Sequence, residues 1–195
     1  MKFQMDTKRL VIFGVLFFIL IVLVALFLNL GNEVMPQPTP LLPSDQREAS
    51  QEPREYVTIT LFFTSEDDGL LHREEREIIP ESSQDALAKR IVEELFKGSR
   101  RGYLSSIPPE TQLRELFVTK DGVAYVDFSR AITDKHLSGS SAEISTIYSV
   151  VNSLSYNLKS VKKVFILIDG GERKTLGGHI DLSQAFLPQY DIVAN

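Results

Sequence analysis

Leu10 to Leu30, LVIFGVLFFILIVLVALFLNL, runs for 21 residues without a charge, and Asn29 at its far end is its only polar side chain. A helix of that length rises about 31 Å, close to the roughly 30 Å of a bilayer's hydrocarbon core. Lipid offers no partner to backbone N–H and C=O groups, so such a run is expected to cross as a helix. A cleaved signal peptide would have a shorter apolar region, about 7–15 residues, and small residues at its exit. The exit here, Phe27-Leu28-Asn29-Leu30-Gly31-Asn32, has no such site. With no cysteine in the chain, no thiol can carry a lipid. The run therefore reads as an uncleaved transmembrane anchor.

Flanking charge orients it. Lys2, Lys8 and Arg9 precede the span against Asp6, while Glu33 follows it and no base appears before Arg47. The basic side faces the cytoplasm, which makes residues 1–9 cytoplasmic and the C-terminal part periplasmic or extracellular. Residues 31–54 hold five of the nine prolines, Pro36, Pro38, Pro40, Pro43 and Pro53, among Gln, Ser, Glu and Thr. Such a stretch buries too little apolar surface to offset its ordering entropy. Stiffened toward polyproline II, it is a stalk of up to about 70 Å.

Residues 55–187 are expected to form one domain, with 188–195 as a tail; the size suffices for a core of its own. The whole chain stands at −5, and the first 30 residues contribute +2, so the remainder is at −7. That balance argues against a nucleic-acid partner.

The run YVTITLFFT, from Tyr56, alternates and reads as a strand. LLHREEREIIP pairs with it after a turn, and its charged centre predicts an exposed edge. A helix is expected from Ser82/Ser83 to Lys97, capped by Ser82 with Asp85 and stopped at Gly98. Leu87, Ile91, Val92 and Leu95 share its apolar face. Asp121-Gly122 between two alternating runs predicts a type I′ hairpin. A second helix spans Glu143 to Lys159, with Ser140 and Glu143 as its capping box and Ile144, Ile147, Tyr148, Val151, Leu154 and Leu158 on one face. VKKVFILID then forms a strand, ended by Gly170-Gly171. The order predicts an α+β domain, two helices packed on a small, mainly antiparallel sheet.

Few residues suggest chemistry. The histidines, His72, His136 and His179, stand alone, and the chain lacks phosphate-binding and nucleophile-elbow motifs. No cofactor or metal is called for. A hydrolase would have to join Asp169, His179 and a serine such as Ser129, but Asp169-Gly170-Gly171 and Gly177-Gly178-His179 read more simply as turns. Asp127 and Ser129, at a strand end, read as caps of the local backbone. Arg100 and Arg101, with Lys159, Lys162, Lys163, Arg173 and Lys174, offer a basic face to an anionic partner, such as a cell-wall polymer or an acidic protein surface; the plainer reading is solvated charge. If helices cover only one face of the sheet, the other face is free for a partner.

Taken together, YVTITLFFTSEDDGLL, the arginine-bearing REEREI, ELFKGSRRGYLSSIPPET, VTKDGVAYVDFS, GSSAEISTIYSVVNSLS and VKKVFILIDGGERKTLGGHID resemble the GerMN domain of sporulation and spore germination over residues 56–186. DGVAYVDFS and the ending IDG…LGGHID are the most specific pieces. The resemblance implies a non-enzymatic extracytoplasmic module, similar in fold to the ring-building motif, in which two helices lie on a three-stranded sheet. It also implies protein–protein contact within envelope assemblies, with an unidentified envelope protein as partner. Ring-building relatives assemble, so a homo-oligomer stays open. This chain has a single copy of the domain, and an apolar span in place of a lipidated cysteine.

Overall fold

β-branched and aromatic alternation places the first strand where it was expected. β1, Val57–Thr64, pairs antiparallel with β2, Leu71–Ile78, in register from Val57↔Ile78 to Thr64↔Leu71. The computed structural model describes residues 19–24, 55–137 and 139–194. The chain divides into two units, Met1–Gln51 and Glu52–Asn195. The expected span from Leu10 to Leu30 lies outside the described residues except for 19–24, which are helical and exposed. The expected stalk, 31–54, also lies outside them. No helix among the described residues is long and apolar enough to cross a membrane.

In the second unit, α1 (Gln84–Phe96) is followed by β3 (Leu113–Val118), β4 (Val123–Phe128), a short α2 (Ala131–Asp134), α3 (Ser140–Asn157) and β5 (Lys163–Ile168). The α+β class holds. The single, mainly antiparallel sheet does not: the strands form two small sheets, β1-β2 and β3-β4-β5, and β4 pairs with β5 in parallel. Parallel neighbours need a long crossover, and the 18-residue α3 supplies it.

Turn chemistry also differs from expectation. Asp121-Gly122 does not form a two-residue type I′ turn. Thr119 N donates to Val123 O at 2.9 Å around a three-residue loop, and only Gly122 has positive φ, +83°. The type I′ geometry occurs instead at Asp169-Gly170. Asp169 (φ +53°) and Gly170 (φ +76°) sit between Ile168 and Gly171, whose backbones exchange hydrogen bonds of 2.9 and 3.2 Å. At Gly122 a side chain is excluded for a second reason. An added Cβ would lie 2.6 Å from Ser160 O, because Gly122 O accepts from Lys162 N and Lys163 N at the entry to β5.

Neither expected capping box forms. Ser83, not Ser82, caps α1, its Oγ accepting from Ala86 N at 3.1 Å. Asp85 reaches across to β3 and accepts from Val118 N at 3.0 Å. Gly139 precedes α3 without a side-chain cap, and Glu143 turns inward.

The main core joins Ile59, Leu61 and Phe63 of β1 to Ile91, Val92 and Leu95 of α1 and Ile147, Val150, Val151 and Leu154 of α3. The inner face of the three-stranded sheet (Leu116, Ala124, Val126, Phe128, Val164, Ile166, Ile168) completes it. The opposite face of β1 is buried too: Phe62 packs with Leu71 and Val193. The segment expected as a tail outside the domain, residues 188–195, therefore pairs with β2 through residues 192–194. Leu71 N donates to Ile192 O and Ala194 N to Leu71 O, both at 2.9 Å.

The polar side of α3 substitutes for a missing strand. Ser149, Ser153 and Asn157, four residues apart, share one helix face. Ser149 Oγ donates to Phe62 O at 2.6 Å and Ser153 Oγ accepts from Phe62 N at 3.1 Å. Asn157 accepts from Thr60 N at 2.8 Å and donates to Thr60 O at 2.7 Å. Edge-strand groups that would otherwise invite pairing with another chain are thus satisfied internally. Asn152 holds Gln189 in the same two-point way, at 2.8 and 2.9 Å.

β2 is only in part the exposed charged edge its sequence suggests: Arg73, Glu75 and Glu77 are exposed, but the charges between them turn inward. Glu74 and Arg76 are each only 2% exposed. Arg76 donates to Glu74 at 2.6 and 3.0 Å, to Glu94 O at 2.7 Å, to the Glu94 carboxylate at 3.3 Å, and to Gly98 O. Glu74 in turn accepts from Ser99 Oγ at 2.6 Å and from the backbone N–H groups of Arg100 and Arg101. Burial alone would raise the Glu74 carboxyl, but hydrogen bonds from Ser99, Arg76 and Arg100 outweigh it and hold the group below its ordinary value.

Candidate functional site

The three residues a hydrolase would need are spent on separate partners. Ser129 Oγ accepts from Gln112 N at 2.9 Å. Asp169 accepts from Arg130 N at 3.1 Å and has Arg114 at 3.7 Å. His179 Nδ1 meets Glu143 at 2.7 Å. Asp127, expected as a backbone cap, accepts from Gly170 N at 2.9 Å and pairs with Arg114 at 3.1 Å.

Glu143 is the fully buried end of the His179 contact. It accepts from His179 N at 3.0 Å and from Ile180 N at 2.9 Å, so one carboxylate binds the loop through Gly177 and Gly178 onto α3. An added Cβ at Gly177 would stand 3.0 Å from Glu143 Oε1, and Gly178 has φ +109°. Burial pushes the Glu143 carboxyl up, yet hydrogen bonds from Ile180, His179 and Gly177 carry it below its ordinary value.

The basic residues are not one cluster. Arg100 and Arg101 flank the buried Glu74, and the Arg101 guanidinium lies over Tyr103, 5.6 Å from the ring centroid. Lys162 and Lys163 enter β5, whereas Arg173 and Lys174 follow the turn at its other end. The strand between them spans about 20 Å at its usual rise.

The outer face of β3-β4-β5 gathers what the sequence left scattered. Phe117, Tyr125 and Phe165 are direct cross-strand partners. Their ring centroids are 5.1 and 5.5 Å apart, and Phe117 and Tyr125 stack at 15°. Phe117 is 43% exposed. Val123 and Leu167 are half-buried on either side of the row. These residues alternate with the buried set Leu116, Ala124, Val126, Val164 and Ile166, so α1 and α3 cover one face of the sheet and not the other. Tyr125 was legible as pointing away from Ala124 and Val126. The row was not, because it depends on the register of three strands, one pair of them parallel.

A family model described as Germane, sporulation and spore germination, matches residues 60–174. The chain belongs to the Germane family. The matched stretch runs from β1 past the end of β5, so the aromatic row lies wholly within the Germane segment, while the pairing of residues 192–194 with Leu71 lies beyond it. Two solved structures share the fold. The tandem GerMN domains of the sporulation protein GerM from Bacillus subtilis are 23% identical, with a TM-score of 0.56 over 70% of this chain and 48% of theirs. The first GerMN domain of the same protein is 21% identical, with a TM-score of 0.53 over 69% of this chain and 99% of that domain. No match is found among curated proteins.

Proposed function

We propose that this chain is a membrane-tethered, extracytoplasmic Germane module that works by docking another envelope protein on the outer face of β3-β4-β5, with no chemistry of its own. The carrying observation is the Phe117–Tyr125–Phe165 row on a sheet face that no helix among the described residues covers. The apolar span and its flanking charges support the tether and its orientation. A row of one exposed and two half-buried aromatic rings with aliphatic neighbours has the composition of a protein-contact core.

A cell-wall polymer is the weaker reading. Phe117 and Tyr125 stack on each other, so each spends one of the ring faces a sugar would lie on upon its neighbour. The bases expected to serve a polymer are divided between two ends of β5.

Site-specific photocrosslinking in the native envelope tests the proposal. A photoreactive residue at Phe117 of the full chain is expected to yield a protein adduct, and one at Leu137, 78% exposed on the α2–α3 connection, is not. Equal adducts at both positions, or none at Phe117, contradict it.

A further inference from the structure

The charges around the aromatic row are unevenly satisfied. At one end of the face, Glu115 pairs with Lys89 at 2.6 Å and Asp127 with Arg114 at 3.1 Å. At the other end stand three exposed lysines, Lys120 in the β3–β4 loop and Lys162 and Lys163 at the entry to β5. The backbone brings them together, since Gly122 O accepts from both Lys162 N (2.8 Å) and Lys163 N (3.2 Å). Among the described residues none of the three forms an ion pair, and Asp121 on the same loop pairs with none of them. This corner is positive on a part of the chain that carries −7 past residue 30, from −5 overall and +2 before it.

We infer that the occupant of this face is an amphipathic helix of another protein, its apolar stripe on Phe117, Tyr125 and Phe165 and an acidic flank against Lys120, Lys162 and Lys163. The inference rests on the docking reading and specifies the partner's chemistry. The row runs across the strands, about two strand spacings long, which matches roughly two turns of a helix laid along it. α1 and α3 already pack on the sheet's inner side. Glu115 and Asp127 have bases of their own, whereas the three lysines have no acid to meet but the single Asp121 beside them, with which they do not pair. Complementary charge at a rim sets orientation and rejects wrong partners more than it adds affinity. A basic segment would meet uncompensated repulsion, and a neutral one would leave the lysines without partners.

The experiment maps the segment crosslinked from Phe117 in the full chain and repeats the crosslinking in two variants. Lys162→Glu/Lys163→Glu is expected to cut the adduct yield about tenfold, and Lys162→Arg/Lys163→Arg to preserve it. The mapped segment is expected to carry apolar residues at i, i+3, i+4 and i+7 with Asp or Glu along one flank. An adduct to a basic or neutral segment of another protein, or with a yield indifferent to charge reversal, overturns this inference and leaves the docking reading standing; an adduct to a second copy of this chain overturns both. No protein adduct in any variant overturns both.

Discussion

Asn157 and Thr60 exchange two hydrogen bonds, N–H to Oδ1 at 2.8 Å and Nδ2 to O at 2.7 Å, so one side-chain amide does for β1 what a neighbouring strand would do. With Ser149 and Ser153 beside it, α3 closes the edge of a two-stranded sheet. Asn157→Ala strips both partners from Thr60 and is expected to cost about 1–3 kcal/mol. Asn157→Asp keeps the acceptor for Thr60 N but sets a carboxylate against Thr60 O and Ser153 O, so it is expected to be at least as harmful. Denaturant unfolding of the full chain reads both, and a neutral Asn157→Ala would show that the edge does not need its amide.

Arg76 lies between two buried carboxylates and also binds the carbonyls that end α1. Arg76→Leu removes the cation and leaves Glu74 and Glu94 facing each other's region without it; a loss of about 3–5 kcal/mol is expected. Arg76→Lys keeps the charge but cannot reproduce the fork, and should recover only part of the loss. Thermal unfolding of the two variants decides the matter: if lysine restores full stability, charge alone suffices.

Glu143 gives the domain an acid sensitivity of known sign. Its carboxyl lies below its ordinary value of 4.5 in the folded chain, so its contribution is complete above that value and fades as pH falls through the lower folded one. Glu74 and Glu94 are lowered as well and act in the same direction. Glu143→Gln is therefore expected to destabilise at neutral pH, with the gap to the natural chain closing below pH 4.5. A gap of constant size from neutral pH down to pH 3 would contradict this, since about pH 3 lies below the range of an unperturbed glutamate.

Two glycines separate backbone strain from packing. Gly69 (φ +70°) has open space where a Cβ would go, whereas Gly122 (φ +83°) has Ser160 O at 2.6 Å. Gly69→Ala is expected to cost about 1–2 kcal/mol, the usual penalty for a side chain in this region. Gly122→Ala should cost distinctly more, because the β3–β4 loop must shift away from the entry to β5. Equal losses on thermal unfolding would mean that the loop yields freely.

Element order was legible because periodicity reports local structure, and β1, β2, α1, β3, β4, α3 and β5 all appear where alternation or helical spacing placed them. Pairing was less so. Nothing local marks β5 as parallel to β4, and that choice decides which aromatic residues meet. Polar residues misled where they act over long range. Asp85 and Glu143 looked like helix caps three residues from a serine, yet each binds the backbone of a distant segment. Glu74 and Arg76 looked like solvated edge charges, yet they neutralise one another inside. The same long reach hid the candidate face. Phe117, Tyr125 and Phe165 are separate in sequence and adjacent only in register.

Covalent footprinting of the full chain compares the intact envelope with the same envelope after wall polymer is digested, and again after its membrane proteins are separated. If the outer face docks a protein, Phe117, Tyr125 and Phe165 label weakly in the first two states and strongly in the third, while Leu137 labels alike in all. Strong labelling of the row in the intact envelope, or protection lost on polymer digestion alone, would contradict protein docking at this face.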